Sequence, residues 1–167
     1  MNHRQLTFRA IDKLNLQPGK VLDVGCGRQT ETKQYFEEKG FEWSGCDTIP
    51  QKDENIKVCN MEDLNVYKDE SFDVVFVCHS FEHCMSPFSS LYEFKRILKD
   101  GGKLLLSTPL YCTEQVLYRD DDHYFVLTGE QLAKLLHTCR YKNINGWEEL
   151  QPNKDIPNSS QIMYAEK

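Results

Sequence analysis

The chain has 167 residues, enough for one domain with a real core. It carries 26 acidic against 20 basic side chains, a net charge of −6 with no basic run anywhere. That balance makes nucleic acid an unlikely partner, since phosphates need clustered cations, and it gives no support for an anionic membrane surface.

In chain order, Leu6, Ile11 and Leu14 recur at roughly helical spacing, and Pro18-Gly19 ends that segment. Lys20–Val24 reads as a short buried strand, and Thr30–Lys39 as a helix stopped by Gly40. Phe41–Cys46 and Ile56–Cys59 are the next strands. Asp73–Cys78 is almost purely apolar, as a strand covered by helices on both faces should be. Ser86-Pro87 opens a helix whose apolar face is Phe88, Leu91, Phe94, Ile97 and Leu98; Asp100-Gly101-Gly102 closes it. Lys103–Ser107 is another buried strand. Thr128 to Gln131 matches a capping box, and Leu132, Leu135, Leu136 and Cys139 line the helix it starts. Ile144–Glu148 and Gln161–Ala165 are the last strand candidates.

Such alternation implies an α/β sheet with helices on both faces, in one domain over residues 1–167 with no internal linker or repeat. Seven cysteines, with no C-x-x-C pair, sit largely in apolar runs and read as reduced, buried thiols. No apolar segment follows Met1 and no run approaches the ~20 residues of a membrane span. The expectation is a soluble, cytoplasmic protein.

Ligands of such sheets sit beyond the carboxyl ends of the strands, and four features fall there. Val21-Leu22-Asp23-Val24-Gly25-Cys26-Gly27 is a buried strand breaking into glycines, where bare backbone meets a ligand closely. Asp47 ends the next strand, about 20 residues on, where a carboxylate accepts ribose hydroxyls. Asn60-Met61-Glu62-Asp63 offers polar groups to a base edge, and Cys78 to His83 follows the apolar strand. Gly25 to Thr30 lacks the third glycine of the dinucleotide fingerprint, so a cofactor without a pyrophosphate fits better than a nicotinamide one. His79-Ser80-Phe81-Glu82-His83 also spells a zinc-protease string, but that string works on a helix and here it follows a strand.

These segments together resemble the class I S-adenosylmethionine-dependent methyltransferases, in the small group that includes ubiquinone-pathway O-methyltransferases. Besides the glycine turn and Asp47, the matching stretches are Asn60-Met61-Glu62-Asp63-Leu64, Ser71-Phe72-Asp73-Val74-Val75, Phe81-Glu82-His83, Leu98-Lys99-Asp100-Gly101-Gly102 and His123 to Thr128. The resemblance implies a Rossmann-like, doubly wound, mostly parallel seven-stranded sheet whose last strand is antiparallel. It implies S-adenosylmethionine as cofactor and S-adenosylhomocysteine as product. Asp23, Gly25, Cys26 and Gly27 would meet the methionine portion, Asp47 and Thr48 the ribose, and Asn60, Met61 and Glu62 the adenine. His79 and Phe81 would line the pocket near the sulfonium. Relatives usually have Asp where Asn60 stands; Asn still accepts a hydrogen bond, without charge.

A sulfonium methyl is already activated, so the enzyme's task is in-line placement of an acceptor and removal of its proton. His83 and His123 are the candidate bases, since histidine titrates near neutral pH. In some relatives an acidic string at this place binds a divalent cation; here the set would be His79, Glu82, His83 and His123, suited to Zn²⁺ or Mn²⁺, though a structural role for these residues is preferred and no metal is assigned. The expected reaction is methyl transfer to oxygen or nitrogen of a small-molecule acceptor. Alternatives are a non-catalytic partner subunit of the same fold and a metal-assisted RNA-end 2′-O-methyltransferase; a homodimer is also open. Residues 1–17 would supply an N-terminal helix and residues 109–122, with Tyr111, Tyr118, Arg119 and Asp120 to Asp122, a candidate substrate lid.

Overall fold

The computed structural model describes residues 3–28, 30–110, 123–149 and 160–167. Helix α1 (His3–Asp12) precedes β1 (Lys20–Val24), α2 (Thr30–Glu38), β2 (Glu42–Asp47), β3 (Ile56–Val58) and β4 (Phe72–Cys78). A 3₁₀ turn at Phe81–His83 leads to α3 (Pro87–Ile97), β5 (Leu98–Pro109), α4 (Gly129–Thr138), β6 (Lys142–Glu149) and β7 (Ser160–Glu166). The strands form one seven-stranded sheet in the order β3-β2-β1-β4-β5-β7-β6. The first five are parallel, and β7 runs antiparallel between β5 and β6. This is the Rossmann-like sheet that the alternation and the resemblance foretell.

Because β4 is central, both its faces are covered. Val75 and Val77 join Leu91, Phe94, Ile97, Leu132 and Leu136 in one core under α3 and α4. Val74, Phe76 and Cys78 join Phe8, Ile11 and Phe36 in a second core under α1 and α2. Phe8 stacks on Tyr35 with ring centroids 4.0 Å apart, and the Tyr35 hydroxyl donates to Phe8 O at 3.1 Å, tying α1 to α2.

Two helix starts follow from sequence chemistry. Ser86 Oγ accepts from Ser89 N ahead of Pro87, and Thr128 with Gln131 forms a complete capping box. Strand β5 begins earlier than the expected Lys103. Leu98 pairs with Phe72, the register then shifts, and Lys103 pairs with Val74, the extra residues being taken up at Gly101, whose φ is 72°. Of the candidate lid, Pro109 ends β5 and Leu110 is buried, while residues 111–122 lie outside the described residues. Among the described residues no helix is long and apolar enough to cross a membrane.

Candidate active site

Where β1, β2 and β4 end, the strand order switches, and a pocket of about 470 Å³ opens there. It is lined by Gly25, Asp47, Thr48, Asn60, Met61, Glu62, His79 and His83 among the residues expected from sequence. Val24, Cys46, Cys59, Ser80, Cys84, Met85 and Tyr124 line it as well.

The glycine turn forms the floor. Gly25 has φ 69°, and a Cβ built on it would lie 2.4 Å from Ser80 Cβ. Ser80 holds that place because its Oγ donates to Val24 O at 2.9 Å, clamping the turn to the loop after β4. The Gly25 and Cys26 amides both donate to Cys46 O, at 2.9 and 3.1 Å. Gly27, with φ 59°, faces open space and donates its N–H to Asp47 Oδ2 at 2.8 Å. Asp47 Oδ1 accepts from Ile49 N at 2.9 Å. The carboxylate is thereby fixed on the rim with lone pairs left for further donors.

Beneath the floor, Asp23 is 1% exposed, and among the described residues neither carboxylate oxygen has a well-formed hydrogen bond, the Trp43 side chain being its polar neighbour. Burial pushes its carboxyl up to about 7, against the opposing pull of the Arg4 cation. Cys26 is fully buried in the core under α1 and α2, its thiol raised to about 12 by desolvation.

The base end of the pocket is an Asx turn. Asn60 Oδ1 accepts from Glu62 N at 3.0 Å, and Glu62 Oε1 accepts from Ser86 N at 3.0 Å and from Met85 N. Glu62 therefore latches this loop to the start of α3.

At the other end, His79 has φ 50°, which turns the chain sharply out of β4. Its Nε2 shares a 2.7 Å hydrogen bond with Ser160 Oγ. Phe81 swings inward, 1% exposed, edge-on to Phe125 and outside the pocket lining. Buried Glu82 has Oε1 at 3.8 Å from His79 Nδ1 and 3.9 Å from His123 Nε2. The His83 and His123 rings meet edge-to-face, centroids 4.9 Å apart, so His123 reaches the pocket through His83. Ligand atoms of Glu82, His83 and His123 lie within 4.8 Å of one another, a carboxylate and two imidazoles of the kind that hold Zn²⁺ or Mn²⁺.

The structure thus gathers eight of the expected residues around one pocket and places Asp23, Cys26, Gly27, Phe81 and His123 beside or behind it. Ser80 and Tyr124 escape sequence reasoning. Nothing in the pattern marks a serine whose side chain faces a glycine 55 residues earlier, and Tyr124 is brought in by its N–H donating to Glu82 O at 3.0 Å.

A family model described as a methyltransferase domain matches residues 22–106, half of the chain, from β1 into β5. The chain belongs to the class I S-adenosylmethionine-dependent methyltransferases. The ubiquinone biosynthesis O-methyltransferase of Xanthomonas oryzae pv. oryzae (strain PXO99A) is 30% identical over 109 residues, covering 58% of this chain and 45% of that protein. Phosphoethanolamine N-methyltransferase 1 of Zea mays is 31% identical over 121 residues, covering 65% of this chain and 24% of that protein. The chain spans less than half the length of these curated relatives. Among solved structures, a SAM-dependent methyltransferase from Archaeoglobus fulgidus superposes with TM-score 0.78 at 18% identity, over 99% of this chain and 94% of that one. A floor that a Cβ would fill at Gly25, a carboxylate on the rim and a polar turn at the base end all fit an adenosine-bearing molecule.

Proposed function

We propose that this methyltransferase moves a methyl group from S-adenosylmethionine to an oxygen or nitrogen of a small-molecule acceptor. The observation that carries the reading is the Gly25 floor beside Asp47, in a pocket at the switch in strand order. The curated relatives act, by their names, at oxygen in one case and nitrogen in another, which supports either acceptor atom.

The cofactor supplies an electrophilic methyl group on a sulfonium. The chain's residues bind and orient. Gly25 lets the methionine portion pass against bare backbone, with Asp23 below it near the amino end. Asp47, and Thr48 beside it, meet the ribose. Asn60 and Met61 flank the adenine, while Glu62 holds their loop in place. His79 and Phe81 shape the sulfonium end, one at the wall and one behind it. His83, on the wall, accepts the acceptor's proton, and His123 packs against it.

Calorimetric titration with S-adenosylhomocysteine, with NAD as control, tests this. The expected result is binding of the first and none of the second, with Asp47→Ala weakening it at least tenfold, about 1.4 kcal/mol. Equal binding by Asp47→Ala would sink the ribose assignment. No binding of either ligand would favour a partner subunit that has kept the fold without the cofactor.

A second reading, favoured by the convergence of Glu82, His83 and His123, is that these three would hold a divalent cation, which would supply Lewis-acid polarisation of an acceptor oxygen in place of His83 as base. Zn²⁺ or Mn²⁺ titrated into chelator-treated protein should then bind at one site and be lost in His123→Ala. Absence of binding removes this reading and leaves the first intact.

A further inference from the structure

We infer that Cys46 and Cys59 form a peroxide-sensitive thiol pair in the wall of the pocket, and that joining them as a disulfide shuts out the cofactor. The second half of this inference rests on the cofactor reading above.

Cys46 is the penultimate residue of β2, just before Asp47, and Cys59 follows β3, just before Asn60. Both line the pocket. Strands β2 and β3 are parallel with Cys46 opposite Lys57, so Cys59, two residues further on, presents its side chain to the same face as Cys46. Cys59 N donates to Asp47 O at 3.0 Å, which draws the end of β3 in against the end of β2. Both side chains face the pocket from the neighbouring ends of β2 and β3.

The pair is asymmetric. Cys46 is 1% exposed, and its thiol is held well above the ordinary range by donating toward Cys59 and by burial. Cys59 is half-buried, and its thiol is pulled down, first by that neighbour and, against burial, also by the Lys57 cation. The other described cysteines all move the opposite way: Cys26 and Cys78 are raised to about 12, Cys84 to about 11, and Cys139 is raised too. Peroxide reaches the half-buried Cys59 and not Cys46, which is 1% exposed, so Cys59 is the nucleophilic sulfur and Cys46 the resolving one.

With a hydroperoxide as oxidant, the Cys59 thiolate attacks one peroxide oxygen. The O–O bond breaks, the departing oxygen leaves as water or alcohol, and Cys59 becomes a sulfenic acid. The Cys46 sulfur then attacks Cys59, the S–S bond forms, and the sulfenic oxygen leaves as water with the Cys46 proton. Two thiols are oxidised by two electrons and one peroxide is reduced. Closing the bridge pulls Asp47 and Asn60 together and takes away the room between ribose and base positions. A ligand already in the pocket covers the half-buried Cys59 from the same side, so loaded protein should resist.

The experiment treats the reduced full chain with hydrogen peroxide, with and without S-adenosylhomocysteine, and maps the products by peptide mass. The expected product is a Cys46–Cys59 cross-linked peptide lacking two hydrogens, formed without ligand and suppressed by it, with loss of calorimetric binding that a reductant restores. Cys46→Ser should instead leave a Cys59 sulfenic acid that dimedone traps. Cys59 oxidised without a bridge in the natural chain, both thiols untouched, or a bridged protein that binds as before would each overturn the inference. If the reduced protein binds no S-adenosylhomocysteine, the cofactor reading fails, whereas the bridge still stands or falls on its mass.

Discussion

Two independent constraints meet at Gly25. Its φ of 69° lies in the left-handed region, and Ser80 occupies the space where a Cβ would go. Alanine there must bear the backbone strain and displace Ser80 from Val24 O, together roughly 2–4 kcal/mol. Gly25→Ala should lower the unfolding midpoint and abolish S-adenosylhomocysteine binding, read by denaturation and calorimetry on one preparation. Gly27→Ala, with nothing near its Cβ, meets only the strain and should destabilise less. Equal stability loss in the two variants would show that Ser80 does not press on the turn.

Asp23 carries a different prediction. Its folded-state carboxyl, raised to about 7 by burial, keeps a proton that the unfolded chain gives up near its ordinary value of 3.8. The folded state therefore binds more protons across that window, and this group's contribution to stability falls as pH rises from about 4 to about 7, by roughly 4 kcal/mol. Asp23→Asn should remove that downward slope, leaving the variant relatively more stable at about pH 8 than at about pH 5. Urea unfolding of both proteins across the range checks it; parallel pH profiles would mean that Arg4 or solvent keeps Asp23 ionised throughout.

At the scale of elements, the antiparallel end of the sheet is pinned by Glu166. It faces Lys103 across β5 and β7, pairs with its ammonium, and accepts from Asn143 at 2.6 Å and from the Tyr164 hydroxyl at 3.0 Å. These partners, Lys103 foremost, pull its carboxyl down to about 2. The contribution is full above the unfolded value near 4.5 and is lost as pH falls through about 2. Glu166→Gln should cost about 1 kcal/mol at neutral pH, with the two proteins converging in acid. A difference that persists in acid would assign the loss to packing instead of charge.

How far these elements could be read in advance depended on whether their determinants were local. Ser86-Pro87 and Thr128-Gln131 carry their helix starts in adjacent residues, and β4 announces itself by an unbroken apolar run. The glycine turn and Asp47 were legible for the same reason. What was not legible depends on one backbone angle or one distant partner. The left-handed His79 converts the stretch after β4 into a 3₁₀ turn, and Phe81 goes to the core. Glu62 spends its carboxylate on the amides of Met85 and Ser86, a partnership 23 and 24 residues away that no periodicity encodes. Early entry into β5 at Leu98 needs the bulge at Gly101, which sequence alone reads as a helix stop.

For the molecule as a whole, the pocket is the place where separate elements share one boundary. The ends of β1 and β2, the turn after β3, the turn after β4, the approach to α3 and Tyr124 all contribute to its lining. Direct ties join them pairwise, such as Ser80 to Val24, Gly27 to Asp47 and Glu62 to Ser86. A ligand touching the glycine floor, Asp47 and Asn60 at once is held by the folded arrangement and by nothing in the unfolded chain, so it must stabilise the fold by mass action. At about one hundred times its dissociation constant the gain is about 2.7 kcal/mol. For a chain of this size each kcal/mol moves the midpoint by about 2–4 °C, so S-adenosylhomocysteine should raise it by about 5–11 °C, growing with the logarithm of ligand concentration. NAD should produce no shift, and Asp47→Ala should need a higher ligand concentration for the same gain. A midpoint that stays put while calorimetry reports tight binding would mean that unfolding begins away from the pocket and that the sheet does not unfold as one unit.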